Sequence, residues 1–304
     1  IRIWAIIVIP RNRRPTAATA WLLAIYFIPF VGLLLFFLIG NPRLPRVRRR
    51  KQRQINEYIH DATENLEFGS LRPDAPAWFT SLVTMNRNLG AMPLAGDNTV
   101  TLIAEYQESL DAMADAVRAA EHYAHIEFYI LQSDAATDNL FRAMEEACAR
   151  GITVRVLLDH WANRGKPNYK ATLKRLDAMG AQWHLMLPVQ PFKGKYQRPD
   201  LRNHRKLLVV DDNVAFMGSQ NVTDSTYNLP KNIRRGLHWV DLMVRLQGPV
   251  VASVNAVFLS DWYSETDEEL SAEFDVENLD TGPGDLDAQV VPSGPGFDSE
   301  NNLR

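Results

Sequence analysis

"HRKLLVVDDNVAFMGSQN", His204 to Asn221, decides how this chain is read. Leu207 to Val210 are apolar or β-branched and read as a strand, Asp211 to Asn213 as a turn, and Val214 to Gly218 as the returning strand. Side chains two apart on a strand share a face, so His204 and Lys206 project together. Gly218 and Ser219 close the hairpin where a backbone is expected to approach something closely, and Asn221 adds an amide donor. An imidazole, an ammonium, a hydroxyl and an amide converging on one spot suit a phosphate. Lys206 and Asn221 can stabilise the anionic oxygens of a transition state. His204, whose ordinary pKa lies near neutrality, can act as nucleophile or general acid, with no need for a metal. The plainer alternative is a hairpin that merely carries polar residues. Upstream, Lys193, Lys195, Arg198, Arg202 and Arg205 are expected to give an anionic group a positive approach.

Outward from the hairpin, helices alternate with strands. "EYQESLDAMADAVRAAEHY" has apolar residues at helical spacing and is followed by the strand "AHIEFYIL". "DNLFRAMEEACARG" ends on a glycine stop before "ITVRVLLD", and "YKATLKRLDAMGAQWHLML" repeats helix, glycine and strand. That alternation predicts an α/β fold with βαβ units, a sheet covered by helices. In "HWVDLMVRL" the alternation puts Val240, Leu242, Val244 and Leu246 on one face, and Trp239, Asp241 and Arg245 on the other. With one cysteine, Cys148, no disulfide can form within the chain, so the soluble part is expected in a reducing compartment.

Formal net charge is −3, unevenly spread, with arginines crowding the first fifth and acids running from Glu265 to Asp287. Ile1 opens straight into "IRIWAIIVIP", as if part of a first membrane segment were missing. No charged residue lies between Pro15 and Pro42, and Ala20 to Gly40 is nearly all apolar, the roughly 20 residues that a membrane helix needs. Arg43, Arg46, Arg48, Arg49, Arg50, Lys51 and Arg53 follow it and predict a cytoplasmic soluble domain, against a smaller cluster at Arg11, Arg13 and Arg14. The division expected is 1–42 membrane segments, 43–96 basic connector, 97–264 catalytic α/β domain, and 265–304 acidic linker with the start of a further part.

His204, Lys206, Asp211, Gly218, Ser219 and Asn221 together fill the His-x-Lys-x4-Asp-x6-Gly-Ser-x-Asn pattern of the phospholipase D superfamily. "IEFYIL", "RGITVRVLLD", "HWVDLMVRLQGPVV" and "SDWY", with the apolar N-terminus, narrow the resemblance to bacterial cardiolipin synthases, as far as about residue 265. It implies a mixed sheet flanked by helices behind N-terminal transmembrane segments in a bacterial cell membrane. It also implies anionic phospholipid as partner, conversion of two phosphatidylglycerols to cardiolipin and glycerol through a phosphohistidine, no metal or other cofactor, and no nucleic acid. Asp241 matches the acid that orients the catalytic histidine in that superfamily. Asp211 is expected to brace the hairpin and the lysine. Glu127 either lines the site or marks a strand edge. The superfamily builds a site from two motif copies and this chain has one, so the second is expected from a missing C-terminal half, whose opening "AQVVPSGPGFDSENNLR" resembles, or from a homodimer. A phospholipase D-type hydrolase, or an incomplete membrane-bound half, is the alternative.

Other histidines carry less. His122 and His125 are three apart, but a helix-to-strand boundary falls between them and no third ligand completes a set. His160, His184 and His238 stand alone beside tryptophans and read as packing or surface residues.

Overall fold

The computed structural model describes residues 2–10, 15–40, 75–90, 92–190, 195–196, 201–270 and 284–292, with scattered positions from 48 to 58. The chain divides into two compact units, Ile1–Leu44 and Pro45–Arg304.

In the first unit the helices are α1 (Arg2–Val8), α2 (Pro15–Phe27) and α3 (Pro29–Ile39). The single helix expected over Ala20 to Gly40 is therefore broken at Ile28. Pro29 has no N–H to donate to the preceding turn and disfavours helical geometry in the residue before it. Gly32 lets α3 press on α2, since a Cβ there would stand 2.6 Å from the Ala24 carbonyl oxygen. Trp21 and Phe36 meet edge to face at 5.6 Å. At 13 and 11 residues the two helices are about 20 and 17 Å long, against a hydrocarbon core of about 30 Å. No helix among the described residues is long and apolar enough to cross a membrane.

The second unit holds α4 (Ala77–Gly90), β1 (Leu94–Ile103), α5 (Tyr106–Arg118), β2 (Tyr123–Phe128), α6 (Asp138–Ala149), β3 (Thr153–Asp159), α7 (His160–Arg164), α8 (Tyr169–Met179), β4 (Gln182–Met186), and the short β5 (Val189–Gln190) and β6 (Lys195–Tyr196). It continues with β7 (Lys206–Val210), β8 (Val214–Gly218), α9 (Pro230–Arg235), β9 (Met243–Gln247), α10 (Val250–Thr266) and β10 (Leu286–Gln289). Eight strands form one mixed sheet in the order β10-β1-β9-β8-β7-β2-β3-β4. β2, β3 and β4 are parallel, joined by helical crossovers as the alternation predicts, while the pairings from β2 through β7, β8 and β9 to β1 are antiparallel.

Each face of the sheet has its own core. On one, Ile126, Phe128, Leu208, Val210 and Phe216 pack under α5 and α6, whose Leu110, Met113, Val117, Phe141 and Met144 recur at helical spacing. On the other, Leu207, Val209 and Ala215 meet Val254, Phe258 and Trp262 of α10. The strand expected around Trp239 begins only at Met243, and Val240 is 90% exposed, so the alternation holds for Val244 and Leu246 and not before them. The stretch read as an acidic linker contributes β10, which pairs with β1. Two cations of the basic cluster are paired within this unit, Arg48 with Glu265 and Lys51 with Asp267, both at 2.6 Å. Arg43, Arg46 and Arg49, with most of 43–74 and 271–283, lie outside the described residues.

Candidate active site

The hairpin forms as its spacing predicts, with Leu207 opposite Met217 and Val210 opposite Val214. Lys206 opens β7 where β2 ends, so the site sits at the carboxyl end of a parallel strand, a usual place for ligands in α/β sheets. The His204 imidazole lies on the Tyr129 ring, 4.0 Å between centroids and 18° from parallel. Lys206 Nζ donates to the His204 carbonyl at 2.6 Å and stands 5.3 Å from the Tyr129 ring centre. Burial first, then the Lys206 and Arg202 charges, hold the His204 pKa below its ordinary value. At neutral pH the imidazole is thus uncharged, with a lone pair to offer. Burial also lowers the Lys206 pKa, and the Asp241 carboxylate opposes that shift.

Ser219 and Asp241 form the opposite side. Ser219 Oγ donates to Asp241 Oδ1 at 2.7 Å and accepts from the Leu242 N–H at 3.1 Å. Asp241 Oδ2 is buried with no hydrogen-bond partner among the described residues. Asp241 was expected to orient His204; among the described residues it instead binds Ser219 and adds negative charge near Lys206. Gly218 does permit a close approach, but of its own neighbour, since a Cβ there would overlap the Leu242 carbonyl and lie 2.8 Å from Met243 Sδ. Its place is explained by β9 rather than by a substrate.

Asn221 is buried and its amide is engaged: Oδ1 accepts from the Ile130 N–H at 3.0 Å, and Nδ2 donates to the Tyr227 hydroxyl at 2.8 Å. The group that Asn221 was expected to offer a phosphate is thus the one that places Tyr227. Burial raises the Tyr227 pKa, so it stays a neutral phenol. Tyr227 and Asn228 have φ of 58° and 53°, a conformation uncommon for L residues and concentrated at functional sites. Lys166 Nζ lies 5.3 Å from the Tyr227 ring centre.

The remaining expected residues lie elsewhere. Asp211 stands at the far end of β7, where its carboxylate accepts from the N–H groups of Glu121 (2.7 Å), His122 (3.0 Å) and Tyr123 (2.7 Å). It braces the hairpin turn against β2 and has no contact with Lys206. Arg202 is buried and pairs with Asp159 at 2.7 Å, and Arg205 pairs with Asp261, so neither forms the positive approach expected. Lys193 and Arg198, and the Lys195 side chain, lie outside the described residues. Glu127 neither lines the site nor marks an edge: β2 is flanked on both sides, and Glu127 is fully buried beneath α10. His125 is likewise structural, stacked between Tyr123 and Phe258 at 4.4 Å each.

Sequence reasoning missed Tyr129, Tyr227, Lys166, Asn203 and Asp261. Tyr129 falls one residue beyond β2, where alternation no longer buries it. Asn203 and Arg205, at odd spacing from His204 and Lys206, must face the other way, and that signal was present.

A family model described as "Cardiolipin synthase, PLD-like domain" matches residues 113–262, and "Phospholipase_D-nuclease N-terminal" matches 1–41. The chain is 28% identical over 300 residues to cardiolipin synthase A of Proteus mirabilis, covering 95% of this chain and 60% of that protein. It is 29% identical over 309 residues to the major cardiolipin synthase ClsA of Bacillus subtilis, covering 97% and 61%. The solved phospholipase D family member Nuc from Salmonella typhimurium aligns with a TM-score of 0.43 at 15% identity, over 57% of this chain and 99% of that one. The chain is thus similar to bacterial cardiolipin synthases, and it spans about three fifths of their length.

Proposed function

We propose that this chain supplies one half of a phosphatidyl-transfer centre that makes cardiolipin and glycerol from two phosphatidylglycerols at a bacterial membrane. The observation that carries this reading is the His204 imidazole held on Tyr129 beside the Lys206 ammonium. An imidazole nitrogen attacks phosphorus and forms a P–N bond as the P–O bond to the headgroup glycerol breaks. A histidine from a second motif gives that leaving oxygen its proton. Lys206 neutralises charge on the non-bridging oxygens, where it grows in the transition state. The terminal hydroxyl of a second phosphatidylglycerol then attacks the phosphohistidine and yields its proton to that same second histidine. His204 leaves as a neutral imidazole. The second motif comes from a C-terminal half or from another copy of the chain.

Membrane attachment is part of the proposal. The first unit turns Phe27 and Phe30 outward, 74% and 81% exposed, and carries no acidic residue across α1 to α3. That surface suits lipid better than water. The basic residues after it favour the cytoplasmic side.

Mass spectrometry of products tests the reading, with the chain and its His204→Ala variant each incubated in phosphatidylglycerol vesicles. Cardiolipin and glycerol from the parent and none from the variant are expected, in the chain alone if two copies pair, or with a second half restored if they do not. Phosphatidic acid in place of cardiolipin would make water the acceptor and overturn the synthase reading.

A further inference from the structure

Behind the His204 segment, on the α10 side of the sheet, lies a buried polar cluster that the transfer chemistry does not use. Asn203 and Arg205 flank His204 and face away from it. The Asn203 amide gives one hydrogen to Glu127 Oε1 at 2.8 Å and the other to Asp261 Oδ2 at 2.9 Å. Asn203 Oδ1 accepts from the Arg205 N–H at 2.9 Å, and the Arg205 carbonyl accepts from the Tyr129 N–H at 3.1 Å. The Arg205 guanidinium pairs with Asp261 and lies 3.9 Å from Glu127 Oε1.

Two carboxylates here face one guanidinium. Both of the Asn203 amide hydrogens are already committed, one to each carboxyl. Among the described residues, Glu127 Oε2 is buried with no hydrogen-bond partner. An ionised oxygen so placed would be a buried charge with no donor, which is costly, whereas an O–H there is tolerated and can face its neighbour. Beside a second carboxyl, the dry one of the two keeps its proton. Burial and the Asp261 charge accordingly push the Glu127 pKa well above the usual carboxylate range.

We propose that Glu127 carries a proton beside the Asp261 carboxylate, and that this pair, gripping Asn203 and Arg205, fixes the backbone on both sides of His204 from behind. Glu127 and Asp261 are then positioning residues. They touch no substrate and act through the orientation of the imidazole on Tyr129. The inference rests on His204 as the reacting group, but its readout is a resonance rather than turnover, so it stands or falls separately from the transferase reading.

The test uses the full chain in phosphatidylglycerol-containing nanodiscs with isotope-labelled histidine, the His204 signal being assigned by its loss in His204→Gln. Glu127→Gln has the shape of a neutral carboxyl and is expected to leave the His204 titration midpoint and line shape unchanged. Glu127→Ala frees one hydrogen of Asn203 and is expected to broaden the His204 signal and raise its midpoint toward that of an exposed histidine. Asp261→Asn, which removes the carboxylate that pairs with Arg205, is expected to shift the midpoint as well. An infrared carbonyl band of a protonated carboxyl is expected at neutral pH in the parent and not in Glu127→Gln. Should Glu127→Ala fail to fold, that band and the Gln variant still decide. The proposal is overturned if the band is absent, if Gln moves His204 as far as Ala does, or if a folded Ala variant leaves His204 unmoved.

Discussion

At one end of β7, Lys206 and the adjoining His204 meet an aromatic ring; at the other, Asp211 accepts three backbone N–H bonds in a turn. All three residues belong to a single spacing pattern, yet roughly 16 Å of strand separates the two jobs. The His204 side chain is exposed and stacks on a single ring, whereas the Asp211 carboxylate is taken up by three backbone N–H groups. The two ends are fixed relative to one another because the strand between them is held in register by pairs such as Phe128 with Lys206 and Ala124 with Val210.

Substitutions that mix the two jobs would break this contrast. The largest effect belongs to His204→Ala, expected to remove all product in an assembly that makes it while leaving the urea midpoint where it was. Lys206→Met is expected to lower turnover on the order of 10²-fold, read as initial rate at saturating lipid, with stability again unchanged. At β8, Gly218→Ala drives a methyl into the Leu242 carbonyl, and a cost of about 2 kcal/mol is expected from urea unfolding, with turnover falling because Ser219 and Asp241 move too. Asp211→Ala should show the reverse of His204→Ala: about 2 kcal/mol of stability lost, with turnover per folded molecule retained. Its N–H partners lose their acceptor, and alanine is disfavoured at the φ of 50° found there. Asp211→Asn, which keeps one acceptor and tolerates that φ, should lose about half as much.

The smallest effect is one of pH. Because His204 is held below its ordinary pKa, the unfolded chain takes up a proton first as pH falls from about 6.5. Stability contributed by the neutral histidine is therefore complete above that value and is lost through the window down to the folded pKa. Urea midpoints measured across that window should fall less steeply for His204→Gln than for the parent. Equal slopes would mean that the imidazole is not desolvated by its seat on Tyr129.

The hairpin, the βαβ alternation and the facing of His204 with Lys206 were legible in the sequence because they follow from periods of 2 and 3.6 residues and from glycine stops. Gly180 ends α8 at φ 79° as its position suggested. What was not legible depended on which charge meets which across the fold. Arg202 and Arg205 look like phosphate ligands on the chain, but Asp159 and Asp261, more than 40 residues away, take them inside. Asn221 looked like a donor until Tyr227, held at a positive φ, claimed its amide. The continuous apolar run from Ala20 concealed a break because composition alone does not show how a proline ends a helix.

The meeting of β2 with β7 also bears on the order in which the molecule assembles. The hairpin of β7 with β8 closes over a few residues, and β2 through β4 close over helical crossovers of one or two helices, whereas the pairing of Ala124 with Val210 joins residues 86 apart in the chain. Contacts so distant carry the larger loop-closure cost and tend to form late. Tyr129 belongs to one side of that join and His204 to the other. A newly made chain therefore has a histidine but no seated one until β2 and β7 meet, and the appearance of a shielded imidazole marks one long-range step of its folding, ahead of the still more distant pairings of β1 with β9 and β10.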